Sequence, residues 1–360
     1  MKPHLSIVAT SRNDNHGEFL LKRMQIFVNG IIEQSKKYDF NTELILVEWN
    51  PPEDKLRLKD ALKWPDNNTH CDIRIIEVPA DLHRKYKYSE GLPLFQMIAK
   101  NVGIVRANAE FVLSTNIDII FSNELMEFLS SGVLQSGKYY RVDRHDVSRD
   151  MYQYDSVNEL LNACDKHTIR ISHRNGITDC INNVTDRFFP EFLPVPFMGK
   201  RLWLIPGWKY VVKQGDKKLV RAVYRLFGQY RNWLRLHTNA CGDFMLMSKM
   251  DWLRIRGAPE LEIFSLHLDS LVCYIAYFAD IEEVVIDAPI YHIEHDSGWT
   301  PEAEKDGSLY KRLEVNKVPF LTIKELDAWI SEMYRKRAPL NYNDENWGLA
   351  RENLKETVIN

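Results

Sequence analysis

One carboxylate stands out in FVLSTNIDIIF, residues 111–121. The stretch opens apolar, turns polar at Ser114, Thr115 and Asn116, and then sets Asp118 among Ile117, Ile119, Ile120 and Phe121. A charge inside an apolar run is costly unless something pairs with it. Two more short apolar runs also end in polar residues: LSIVAT leads into residues 10–14, and TELILVEW ends at Glu48 to Asn50. In an open parallel sheet, ligands sit beyond the carboxyl ends of the strands. Three polar strand ends side by side would make a ligand-binding edge, with Asp118 as one of its charged members.

The elements that must position these groups follow from periodicity. Strands are predicted at 5–10, 42–49, 72–79 and 110–121. A helix is predicted over 17–38 from Phe19, Leu20, Met24, Phe27, Val28, Ile31 and Ile32, and another over 93–108 with Pro93 near its start. Strands alternating with helices predict an α/β chain, a mostly parallel Rossmann-like sheet with helices on both faces. The chain has 360 residues, 45% hydrophobic and 27% charged, which is a globular composition. Its formal net charge of −3 excludes a general polyanion binder. Five cysteines lack metal-ligand spacing, and no run reaches the ~18 apolar residues that span a bilayer. With no signal-peptide pattern at the start, these point to a cytoplasmic protein with reduced thiols.

This order of segments resembles the glycosyltransferases of the GT-A fold, which use nucleotide-sugar donors. SIVATSRND resembles their first strand and donor-binding turn, and LILVEW the second strand, which ends in an acidic residue near the base. AKNVGIVRANAEFVLSTNIDI resembles the segment leading to their Asp-x-Asp motif, with Asn116 at the first position and Asp118 at the second. CGDFMLMSKMDWLRIRGAPE (241–260) is similar to a segment of β-1,4-galactosyltransferase-like enzymes. LHLDSLVCYIAYFAD resembles their helix opening with the catalytic carboxylate, here Asp269. IYHIEHDSGW resembles the strand end with a late metal ligand, where those enzymes have Met-x-x-His and this chain has His292-x-x-His295. The likeness covers roughly residues 4–125 and 239–299.

The resemblance implies a division into a donor-binding half (1–140), an insertion (141–238), an acceptor and catalytic half (239–300) and a C-terminal helical extension (301–360). It implies a glycosyltransferase moving a sugar from a nucleoside-diphosphate sugar, a UDP-sugar, to a hydroxyl of a glycan or lipid-linked acceptor. Asp118, His292 and His295 would hold Mn²⁺ or Mg²⁺, and imidazole ligands suit Mn²⁺ better. The cation would stabilise the departing diphosphate. Asp269 would take the acceptor proton in an inverting transfer. Thr10, Arg12, Asn13, Asp14, Glu48, Lys100, Asn101 and Asn116 would line the donor site beside Asp118, and Gly242 and Asp243 the acceptor site. Each residue also has a plain structural reading. Asp118 fits a strand-end cap, Asp269 a helix N-cap, and His292 a packed core position.

Residues 198–236 carry ten Lys or Arg against Asp216 alone, interleaved with aromatic residues. Leu219, Val223, Leu226, Phe227, Tyr230 and Leu234 share one helical face. Such a basic amphipathic segment fits either docking on an anionic membrane, peripheral on its inner face, or packing in a core. No nucleic-acid motif accompanies it. Two other classes remain open: a sugar nucleotidyltransferase, which needs a Gly-rich phosphate loop that TSRNDNHGE lacks, and a noncatalytic GT-A-like binding protein, for which Asn116 speaks.

Overall fold

The computed structural model describes residues 2–65, 68–187, 234–295, 303 and 306–359. It is an α/β structure built on two mixed sheets. Strands β1 (Leu5–Ser11), β2 (Thr42–Trp49), β3 (Cys71–Val78) and β4 (Phe111–Thr115) run parallel, in the order β4-β1-β2-β3. Every residue of β1 and β2 is buried, which is why both read as continuous apolar runs. Alternate residues face opposite ways. Ile7 and Ala9 join a core with Met24, Phe27, Val28 and Ile31 of helix α1 (Leu20–Lys37). Val8 joins a core with Met97, Ile98 and Val102 of helix α2 (Gln96–Arg106). The sheet is thus covered on both faces, as expected.

The fourth predicted strand is a correction. It breaks at Asn116–Asp118: β4 belongs to an eight-stranded sheet, and β5 (Ile119–Phe121) to a six-stranded one. The side chains at the break have polar partners in both halves of the molecule, so the chain leaves one ladder and enters another there. After helix α3 (Asn123–Ser130) come β6 (Lys138–Arg141), β7 (Arg144–Val147), helix α4 (Val157–Cys164), and the strands β8 (Thr168–His173), β9 (Gly176–Asp179) and β10 (Val184–Arg187). The second sheet runs β10-β9-β8-β7-β13-β5, where β13 is Ile290–Ile293. Residues 144–187 of the predicted insertion therefore contribute four strands, β7 to β10, built onto the strand that carries His292.

"Mostly parallel" is also corrected. β11 (Phe244–Ser248) enters the main sheet antiparallel to β4, with Phe244 opposite Thr115. That polarity starts β11 where β4 ends, which brings Gly242 and Asp243 to the ligand-binding edge. Helices α5 (Lys249–Ile255) and α6 (Leu268–Phe278) follow, then β12 (Glu282–Val285), parallel to β6. The C-terminal segment holds helices α7 (Ser308–Val315) and α8 (Ile323–Lys336), but it ends in a strand, β14 (Lys355–Ile359), antiparallel to β3. The Arg106 guanidinium anchors this return by donating to the carbonyls of Gly348, Leu349 and Glu352. The basic segment lies outside the described residues except for Leu234, Arg235 and Leu236. Among the described residues no helix is long and apolar enough to cross a membrane.

Gly103 of α2 shows how closely the helix sits on the sheet. A Cβ built there lies 2.3 Å from Val8 Cγ1 and 3.3 Å from Val47 Cγ2. Alanine gains about 1 kcal/mol of helix propensity over glycine, but overpacking against two stiff valines costs more. Gly103→Ala should lower stability by about 1–2 kcal/mol in urea unfolding; unchanged or raised stability would contradict this packing.

Candidate functional site

The strand ends and the connections after them enclose a cavity of about 1200 Å³. Its wall includes Thr10, Arg12 and Asp14 after β1, Asn116 and Asp118 at the sheet crossing, and Gly242 and Asp243 before β11. It also includes Asp269 in the first turn of α6, and His292 and His295 from β13 and its end. Four predicted site residues are not on this wall. Asn13 donates to the Leu56 carbonyl (3.0 Å), and Glu48 accepts the Leu58 amide (2.9 Å). Both hold the connection after β2, and burial pushes the Glu48 carboxyl up to about 7. Lys100 donates to the Gly242 carbonyl (2.7 Å) from behind the wall. Asn101 both donates to the Ala258 carbonyl and accepts its amide, fixing the GAPE loop.

Asp118 is paired through its side chain. Its Oδ2 accepts from Arg23 NH1 at 2.7 Å and lies 3.1 Å from His295 Nε2 and 3.8 Å from His292 Nε2. Burial opposes its charge, but the two imidazoles and Arg23 outweigh that and hold the carboxyl well below its usual range. The strand-end cap expected as its alternative is replaced by these partners. His292 is 9% exposed, and its Nδ1 lies 2.9 Å from the carboxylate of Asp146, which is fully buried. With Asp146 ionised, that bond puts the ring proton on Nδ1 and leaves Nε2 with a lone pair facing Asp118 and His295. Burial disfavours an imidazolium at His292; the Asp146 bond and the Asp118 field outweigh it and raise its pKa.

The residues present fit a divalent cation. Ligand atoms of Asp118, His292 and His295 all lie within 4.8 Å of one another. One carboxylate and two imidazoles are a set that Mn²⁺ accepts. The Asp146–His292 bond is the carboxylate–histidine support that orients metal-ligating imidazoles. His295 Nδ1 is buried without a hydrogen-bond partner among the described residues.

Asn116, at the first position of the N-x-D pair, does different work. It accepts from Gln96 Nε2 (2.9 Å) and donates to Asp243. Asp243 accepts in turn from Arg144 NH1 (2.7 Å), and Arg144 NH2 donates to Asp146 Oδ2 (3.2 Å). Hydrogen bonds thus run from α2 through Asn116, Asp243, Arg144 and Asp146 to His292, joining the two sheets across the cavity floor.

Asp269 is in the first turn of α6, two residues after the N-cap position, His267. Its Oδ1 accepts the Ser270 amide (2.8 Å) and its Oδ2 the Gly242 amide (3.0 Å). A Cβ on residue 242 would lie 2.9 Å from Asp269 Oδ2, so only glycine permits this approach. Burial raises the Asp269 pKa, and the bonds from Ser270 and Gly242 together with Lys100 temper the rise.

Arg23, Asp146, Arg144 and Arg170 belong to the site and were missed in the sequence. Two signals pointed to them. Arg23 falls on the apolar face of α1, three residues after Leu20 and four before Phe27. Arg144 and Asp146 stand two apart on one strand and therefore share a face.

Lys100 gives a pH-dependent test of the wall. Burial lowers its pKa from 10.5 to about 8, against the pull of Asp243 and Asp269. The unfolded chain then binds more protons than the folded one between pH 8 and 10.5, so the lysine's contribution to stability rises with pH across that window. Unfolding free energies of wild type and Lys100→Met, compared at pH 7.5 and 10.5, should shift in favour of wild type by about 3 kcal/mol. The tyrosines common to both proteins cancel. A pH-independent difference would place the ammonium in water.

No protein-family model matches this chain, and no curated protein matches it.

Proposed function

We propose that this chain is a metal-assisted glycosyltransferase, moving a sugar from a nucleoside-diphosphate sugar, a UDP-sugar, to a hydroxyl of a glycan or lipid-linked acceptor with inversion. One observation carries the reading: the His292 ring is held by Asp146 with its free nitrogen facing Asp118 and His295, in the same cavity as Asp269. A volume of about 1200 Å³ exceeds a usual small-molecule pocket and leaves room for donor and acceptor together.

In this reading Asp118, His292 and His295 would hold Mn²⁺ or Mg²⁺, which would supply Lewis-acid stabilisation of the departing diphosphate. Thr10, Arg12 and Asp14 border the donor end. Asp269 is the base. The acceptor oxygen attacks the anomeric carbon, its proton passes to the Asp269 carboxylate, and the bond from that carbon to the diphosphate oxygen breaks. The raised pKa of Asp269 suits a proton acceptor. The Gly242 amide keeps one carboxylate oxygen in place during transfer.

Two outcomes test the roles separately. In calorimetry, Asp118→Ala should abolish Mn²⁺-dependent binding of UDP, and His295→Ala should weaken it; unchanged affinity in both would remove the cation site. Asp269→Asn should bind donor as wild type does yet lose on the order of 10²–10⁴ in transfer rate. Normal turnover in that variant would mean a different base or a retaining reaction.

A further inference from the structure

The guanidinium on Asp118 is the group this mechanism leaves unused. Arg23 is 2% exposed, carried on α1, and bound on its other side to the His16 carbonyl. His16 belongs to a connection in which Asn15, Gly17, Glu18 and Phe19 all have positive φ. Two non-glycine residues there, Glu18 and Phe19, hold a conformation that such side chains rarely adopt. Arg23 is thus fixed from both ends.

We propose that Arg23 makes the cation site conditional: a divalent ion is held there only together with a diphosphate-bearing ligand. The inference deepens the metal-assisted reading and rests on it. The Asp118 oxygen that a cation would use already accepts from Arg23 NH1 at 2.7 Å, and the neighbouring carboxylates are paired as well. Asp118 pairs with Arg23, Asp146 with Arg144 and Arg170, Asp243 with Arg144, and Glu294 with Arg170. These pairs set four carboxylates against three guanidiniums. Lys100 and Asp269 add one charge of each sign. A divalent ion entering alone would compete with a guanidinium already bonded to its carboxylate ligand. Cation affinity follows the charge of the ligand set, and ions held by one carboxylate take their remaining oxygens from substrate phosphates. A diphosphate supplies the missing oxygens, and its negative charge offsets the guanidinium beside the ion. Arg23 therefore discriminates against the bare ion while keeping Asp118 ionised and in place.

The test is the count of free Mn²⁺ by electron paramagnetic resonance, with and without UDP, corrected against protein-free Mn²⁺–UDP mixtures. Wild type should bind Mn²⁺ alone weakly, and saturating UDP should tighten that binding by about tenfold or more. Linkage requires Mn²⁺ to tighten UDP by the same factor. Arg23→Gln should bind Mn²⁺ alone about tenfold more tightly than wild type, since a charge several ångströms away is removed. It should also lose most of the UDP effect. Arg23→Lys, which keeps the charge, should stay close to wild type. Wild-type affinity for Mn²⁺ that UDP leaves unchanged overturns the proposal while the cation site stands. No Mn²⁺ bound under either condition overturns both. The wild-type comparison decides the matter even where Arg23→Gln does not fold.

Discussion

The architecture depends on a charge placed where the chain passes from one sheet to the other. Asp118 sits between β4 and β5, flanked by buried isoleucines, and its carboxylate is held by Arg23 from α1 and by His295 from beyond β13. Removing one partner of such a buried pair is far more damaging than the pair is stabilising. The consequence is geometric: a helix from the first βα unit, the sheet crossing and a strand from the last third of the chain meet at one oxygen atom. The same carboxylate that joins the sheets is the one available to a cation, so the fold's polar centre and the candidate site coincide.

Around it the polar groups form a connected set. Asp146 is fully buried with two arginines and a histidine on it, and those contacts hold its carboxyl far below the usual range despite the cost of burial. Arg144 carries the network on to Asp243 and, through Asn116, to α2. A histidine supported in this way keeps its ring orientation whether or not a ligand is present, which is the preorganisation a binding site needs. The Asp269 side of the cavity is built by a different device. A glycine lets an aspartate approach the backbone closely, and the amide of that glycine holds the carboxylate.

Much of this was legible in the sequence, for a physical reason. β1 and β2 are buried on both faces and so read as apolar runs, β3 alternates because part of one face is open, and α1 and α2 show their packed faces at helical spacing. Asp118 stood out as a charge within an apolar run, whereas Asp269, His292 and His295 entered only through the resemblance to the GT-A glycosyltransferases. Other features were hidden. β7 reads as loop because Arg144 and Asp146 are charged, yet they point into the site and are neutralised by partners distant in sequence. The break between β4 and β5 leaves no punctuation, since Ile117 and Ile119 continue the apolar pattern through it. Glu48 and Asn101 have site-like residue types at site-like places, but their bonds to Leu58 and Ala258 use them as scaffold. Residue type and strand position identify the ligand-binding edge; only partner geometry tells which side chains face it.

Everything proposed for this edge requires it to bind a nucleotide sugar through a divalent cation. The most direct measurement is release of nucleoside diphosphate from a panel of nucleotide sugars by the full chain, with Mn²⁺ and with a chelator. The account predicts slow hydrolysis of one donor class, UDP-sugars, that stops when the cation is removed. Absence of both turnover and thermal stabilisation across the whole panel, with the cation present, would contradict it.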